Sequence, residues 1–194
     1  GLSKKALECE HPENLLGLEG AAARTYFSNF SDMLKDSVDF DFGGRNRRPP
    51  RDPVNAMLSY AYGMLVKDCT ITLESVGLDP CLGFYHQQRP GRPSLALDLM
   101  EPFRPIIADS AVIYAVNKKI VRKSDFLIRK TSVTMKPEAR KGTIGSYERR
   151  MDQLVTHPMF DYRVSYRRVL EIQARLLSKY LTGEIDSYTC FSTR

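Results

Sequence analysis

The 194 residues carry a formal charge of +6 at pH 7 and are 42% hydrophobic and 27% charged, enough chain for one compact domain with a substantial core. The excess of Lys and Arg makes a polyanion a better partner than an acidic protein surface or a neutral small molecule. Cys9, Cys69, Cys81 and Cys190 lack the spacing of a zinc site or a disulfide framework, and no apolar run nears the roughly 20 residues of a membrane helix; a soluble, unexported protein of a reducing cytoplasm is expected.

In chain order, residues 1–12 read as a linker or the remnant of an upstream region, with Gly1 to Lys5 the plainest linker sequence. From Glu13 to Leu34 the apolar residues Leu15, Leu18, Ala22, Tyr26, Phe30 and Met33 recur every three or four positions, the pattern of an amphipathic helix. Asp36 to Arg51 ends in Gly-Gly-Arg-Asn-Arg-Arg-Pro-Pro-Arg, which predicts a mobile basic loop. Asp52 followed by Pro53 is a helix start, with Val54, Met57, Leu58, Ala61 and Leu65 as its buried stripe.

Gly77, Asp79, Pro80 and Gly83, then Arg89-Pro-Gly-Arg-Pro93, break the chain on either side of His86 and leave it in a connector between helices. The helix from Leu95 meets Pro102 and Pro105, so a kink is expected near Glu101. Ile106 to Val116 reads as a core helix, and the segments around Asp125–Lys130 and Ser132–Lys136 as a small hairpin. A charged helix is expected from Pro137 towards Val155. A final one carries Tyr166, Val169, Leu170, Gln173, Leu177, Tyr180 and Leu181 on one face and stops at Gly183. His11 and His157, each followed by proline, read as loop residues without a chemical role.

Three stretches together resemble the CRISPR-associated integrase that inserts new spacers into a CRISPR array. They are Leu16-Gly-Leu-Glu-Gly-Ala-Ala-Ala-Arg-Thr-Tyr-Phe27; Asp52-Pro-Val-Asn-Ala-Met-Leu-Ser-Tyr-Ala-Tyr-Gly-Met-Leu65 continuing through Val76-Gly-Leu-Asp-Pro-Cys-Leu-Gly-Phe-Tyr-His86; and Arg89-Pro-Gly-Arg-Pro-Ser-Leu-Ala-Leu-Asp-Leu-Met-Glu-Pro-Phe-Arg104. Ser165-Tyr-Arg-Arg-Val-Leu-Glu-Ile-Gln-Ala-Arg-Leu-Leu177 is similar to the family's last helix. The resemblance implies a mainly α fold with at most a small β-hairpin, residues 13–194 forming a helical metal-dependent integrase domain, without the β-rich N-terminal domain usual in the family.

It also implies that Glu19, His86 and Glu101 are catalytic and hold a divalent cation, Mg²⁺ or Mn²⁺, a set that suits those ions and leaves positions open for phosphate oxygens. The implied reaction is transesterification, in which a 3′ hydroxyl of incoming DNA attacks a phosphodiester of the CRISPR repeat. Implied partners are double-stranded DNA (spacer precursor and CRISPR repeat), a second copy of the chain as a homodimer, a small second CRISPR adaptation protein, and a fused nuclease or reverse transcriptase domain, all in a prokaryotic cytoplasm.

Around this set, Asp98 shares a helix face with Glu101 if the helix begins at Ser94, which makes it either a further ligand or an outer partner. Asn55, also assigned to the outer layer, falls with Ser59 and Tyr62 on the less apolar side of its helix. Arg24, Arg92, Arg45, Arg47 and Arg48 are the expected phosphate binders. Taken singly, Glu19 reads as a solvated helix residue, His86 as a surface histidine and Glu101 as a first-turn carboxylate. Two other functions stay open: a non-catalytic basic DNA-binding or scaffolding module, and a stand-alone nuclease for branched DNA.

Overall fold

The computed structural model describes residues 12–35 and 39–193; the linker reading of Gly1 to Lys5, His11 and Cys9 lie outside the described residues. The architecture is mainly helical. Helix α1 (Pro12–Ser28) runs into a 3₁₀ turn (Phe30–Met33), then come α2 (Pro53–Ser75), α3 (Ser94–Met100), a π-helical segment (Arg104–Asp109), α4 (Ser110–Asn117), a 3₁₀ turn (Lys123–Asp125), strands β1 (Phe126–Ile128) and β2 (Val133–Met135), α5 (Pro137–Met151), strands β3 (Leu154–Thr156) and β4 (Arg163–Ser165), and α6 (Tyr166–Leu181).

Helix α2 is the axis of the core. Asp52 caps it, its Oδ1 accepting the Asn55 amide at 2.7 Å, and Pro53 occupies the first turn, where a missing N–H costs nothing. Met57, Leu58, Ala61, Leu65, Cys69 and Leu73 are fully buried, a longer stripe than the sequence pattern alone marks. Helices α3, α4, α5 and α6 and strand β2 pack around it, and the Tyr147 hydroxyl of α5 donates to Asp68 of α2 at 2.7 Å. On α6, Tyr166, Val169, Leu170, Gln173 and Leu177 are buried as expected, whereas Tyr180 and Leu181 are exposed near the helix end. Gly183 follows in the left-handed region (φ +75°) that favours glycine.

Among the described residues two antiparallel hairpins form, where one was expected. The first pairs Phe126 with Met135, close to the expected place. The second pairs Leu154 with Ser165 and Thr156 with Arg163, so α5 ends at Met151 instead of running to Val155. Its connecting loop holds His157, a loop residue as expected. His157 is buried, with its ring beside Phe160, Tyr162 and Phe191, and its Nε2 has no hydrogen-bond partner. Burial pushes its pKa down, favouring the neutral ring.

The prolines act as expected. Helix α3 stops at Met100, Glu101 sits at its C-cap, and the chain resumes as a π-helix containing Pro105, whose absent donor removes one rung of an α-helical ladder. No helix among the described residues is long and apolar enough to cross a membrane.

Candidate metal centre and its arginine rim

Glu19 of α1, His86 of the α2–α3 connector and Glu101 at the end of α3 line one cavity of about 360 Å³, together with Arg45, Arg47, Arg48, Arg92, Arg104, Ser59 and Tyr62. No single element could do this. Segments distant in sequence share the cavity, with Ser59, Tyr62, Gly63 and Val66 of α2 and Leu97 and Met100 of α3 completing the lining.

His86 is held by Asp98. The Asp98 Oδ1 atom accepts from the His86 amide at 2.9 Å and lies 2.7 Å from His86 Nδ1, while Oδ2 accepts from the amides of Phe84 (2.7 Å) and Tyr85 (3.1 Å). A carboxylate can only accept, so the contact places a proton on Nδ1 and leaves Nε2 as the ring nitrogen that could face a ligand. Asp98 is thus the hydrogen-bond partner that holds His86 and its connector. The connector can come this close only because residue 83 is glycine: a Cβ there would sit 2.6 Å from Ser94 Cβ and 3.0 Å from Asp98 Oδ2.

Both glutamates have partners of their own. Tyr85 donates its hydroxyl to Glu19 Oε2 at 2.6 Å, and burial first, then that hydrogen bond, raises the phenol's pKa and keeps it a donor. Arg104 grips Glu101 in bidentate fashion, at 3.0 and 2.9 Å. Burial pulls the Arg104 guanidinium down, but Glu101 and Tyr62 more than compensate and hold it above its ordinary range. Arg104 also lies over the Tyr62 ring, 4.6 Å from its centroid.

With Glu19 turned to Tyr85 and Glu101 to Arg104, no three His, Cys, Asp or Glu side chains among the described residues are grouped so as to hold a metal ion. The cavity is shared, but a coordination sphere is not drawn together. The donor chemistry nonetheless fits a hard divalent cation: two carboxylates and an imidazole whose second nitrogen is fixed by a carboxylate, the arrangement that orients metal-bound histidines.

The arginine-rich segment is irregular, as expected, and side-chain hydrogen bonds join it to α2. Asn55, fully buried on α2, donates Nδ2 to the Gly44 carbonyl (2.8 Å) and to Asp52 (2.6 Å), and its Oδ1 accepts from the Asn46 amide (3.0 Å) and Arg45 (2.7 Å). Asn46 in turn accepts the Arg51 amide at 2.7 Å. Asparagine can both donate and accept, and here it replaces the missing backbone ladder of the loop. Asn55 therefore anchors the loop and does not line the cavity; Ser59 and Tyr62 do line it. Burial pulls the Arg45 guanidinium down from its usual range, and it bridges Asn55 and Ser59 at the cavity wall.

Arg92, Arg45, Arg47 and Arg48 all face the central cavity. Arg24 does not; it lines an adjoining groove with Phe27, Phe42, Gly43 and Gly44, joined to the cavity through Arg45 and Arg47. Sequence reasoning missed Tyr85, although it stands beside His86, and Arg104, whose signal was its position three residues after Glu101.

The family model described as CRISPR associated protein Cas1 matches residues 1–149. The chain is 54% identical over 195 residues to the "CRISPR-associated exonuclease Cas4/endonuclease Cas1 fusion" of Geobacter sulfurreducens, covering 98% of this chain and 35% of that protein. Among solved structures it is similar to a "Casposase bound to integration product" (TM-score 0.83, 30% identity, 92% of this chain and 50% of that one). It is similar also to a "Cas6-RT-Cas1--Cas2 complex" chain (TM-score 0.82, 29% identity, 97% and 20%). The chain thus spans about a third of the length of that fused relative.

Proposed function

This chain belongs to the family of CRISPR-associated Cas1 proteins, and from that premise we propose that it is the helical catalytic domain of a DNA integrase of CRISPR adaptation. The observation that carries the proposal is the cavity itself, which Glu19, His86 and Glu101 line together with Arg45, Arg47, Arg48, Arg92 and Arg104.

In this reading the rim arginines bind and orient DNA phosphates, offering several N–H donors in a fixed plane. Asp98 keeps the His86 ring in one tautomer, Tyr85 orients Glu19, and Arg104 orients Glu101. Glu19, His86 through Nε2, and Glu101 would hold a divalent cation, Mg²⁺ or Mn²⁺. That ion, when bound, supplies charge withdrawal from the scissile phosphate and stabilisation of the attacking and leaving oxygens. The reaction is a transesterification: the 3′ hydroxyl of the incoming strand gives up its proton to solvent and its oxygen forms a bond to a repeat phosphorus, while the phosphodiester's own 3′ oxygen leaves and takes up a proton, and no covalent protein intermediate is required. The proposed partners are double-stranded DNA, a second copy of the chain, and a small adaptation protein such as the Cas2 named in the similar complex. A fused nuclease or reverse transcriptase domain accords with the names of the relatives.

The test is strand joining of a labelled DNA fragment into a supercoiled repeat plasmid with Mn²⁺. Glu19→Ala, His86→Ala and Glu101→Ala are each expected to lose joining by at least about a hundredfold with the fold intact. Joining at the normal rate by all three overturns the assignment. DNA binding without strand chemistry, indifferent to chelator, points instead to the scaffolding reading, and cutting of branched DNA without joining to the nuclease reading.

A further inference from the structure

Asp109 is 2% exposed, and its two oxygens are taken by phenols. Tyr26 donates to Oδ2 at 2.9 Å and Tyr62 to Oδ1 at 2.5 Å. Burial raises its pKa, an effect that the two hydroxyls and the Arg104 and Arg45 guanidiniums oppose without cancelling. A carboxyl group in such a place is an expensive way to fill a core, since apolar residues of similar volume commonly stabilise as well or better. What distinguishes it is where its two partners lie.

Tyr26 lies on α1, the helix that carries Glu19, two turns further along. That helix is weakly held: among its described side chains only Phe27 is buried, and most of the others face solvent. The bond from Tyr26 to Asp109, with the Phe27 contact and the bond from Tyr85 to Glu19, ties it to the body. Tyr62 lies on α2 beneath the cavity, and the Arg104 guanidinium that grips Glu101 rests over its ring. Asp109 closes the π-helical segment that begins at Arg104, and the irregular ladder of that segment turns its side chain inward between the two tyrosines.

We infer that Asp109 is a positioning residue for both glutamates: through the Tyr26 hydroxyl it fixes the helix bearing Glu19, and through Tyr62 it sets the ring under Arg104 and so the placement of Glu101. The inference rests on the proposed role of Glu19 and Glu101. Asp109 touches neither substrate nor ion; it holds the two carboxylates in register so that they serve the same cavity.

The experiment compares Tyr26→Phe, Asp109→Asn and Asp109→Ala with the unaltered sequence in the full-length protein. Two measurements are made: amide hydrogen exchange without metal or DNA, and the Mn²⁺ concentration giving half-maximal strand joining. Tyr26→Phe removes one oxygen atom, and is expected to speed exchange across residues 12–28 at least about fivefold while leaving Pro137–Met151 unchanged. It is also expected to raise the Mn²⁺ requirement about tenfold or more, as loss of an outer partner does elsewhere. Asp109→Ala should do both more strongly, and Asp109→Asn, which keeps an oxygen for one phenol, should fall between. If Asp109→Ala does not fold, the other two variants decide. Exchange and Mn²⁺ requirement both unchanged in Tyr26→Phe and Asp109→Asn overturn the inference, even if the melting temperature falls, because a merely structural carboxyl would do only that. Glu19→Ala serves as the control: normal joining by it refutes the site assignment, whereas inactive Glu19→Ala beside unperturbed Tyr26→Phe and Asp109→Asn refutes the role of Asp109 alone.

Discussion

Asp98 meets three backbone amides and an imidazole with two oxygens, so its removal strands four donors at once. Asp98→Ala is expected to raise the Mn²⁺ concentration needed for half-maximal joining by about 10- to 100-fold; an unchanged Mn²⁺ titration contradicts the role given to it. Asn55 makes the same point for stability. With its four hydrogen bonds gone and their partners partly buried, Asn55→Ala should cost roughly 3 kcal/mol in urea denaturation and expose the chain near Gly43 and Gly44 to proteolysis; unaltered stability counts against the anchoring role. At this scale little was legible from local pattern. Glu19, His86 and Glu101 stand out only through the resemblance, because nothing in their spacing marks them. Tyr85, Arg104 and Asp109 act through partners that only tertiary packing supplies: Asp109 and Tyr26 are distant in sequence and 2.9 Å apart in space.

The elements were more legible, since their rules are local. The cap at Asp52, the apolar stripe of α2, the break at Pro102 and the stop at Gly183 follow from backbone chemistry that neighbouring residues decide. Two features needed tertiary information. The arginine-rich segment is irregular because its composition cannot form regular structure, and the bonds that Asn55 of the next helix makes to it are invisible to local pattern. The strand at 154–156 was hidden because it is three residues long and pairs across a loop whose buried histidine is not foreseeable from a His-Pro dipeptide. The α2–α3 connector carries the sharpest element-level prediction. Gly83→Ala pushes a methyl group against Ser94 and Asp98, so the connector must move and take His86 with it. Strand joining should fall by about tenfold or more while α-helical content is kept; normal joining would show that His86 does not need this approach.

Across the whole molecule, charge and burial set how the protein responds to its solution. The rim arginines make DNA affinity a function of salt. Arg47→Ala should lower the slope of log affinity against log salt concentration by about one if it neutralises one phosphate, and an unaltered slope excludes it from the contact. Stability should depend on pH through His157, whose folded pKa lies below its unfolded value. Above the unfolded value of about 6.5 both states are neutral and the fold keeps its full stability. As pH falls below that, the unfolded chain takes up the proton first and the native state loses ground. The urea midpoint should therefore fall between pH 7.5 and 5.5 more steeply in the native sequence than in His157→Phe, and equal slopes contradict the burial of a neutral ring.

The central claim is that Glu19, His86 and Glu101 serve a single cation at the base of the arginine rim. Crystals of the protein grown with Mn²⁺ and measured at the manganese absorption edge test it most directly. The account predicts one anomalous peak contacted by Glu19, His86 Nε2 and Glu101; a peak held by other residues, with those three still turned away from one another, contradicts it.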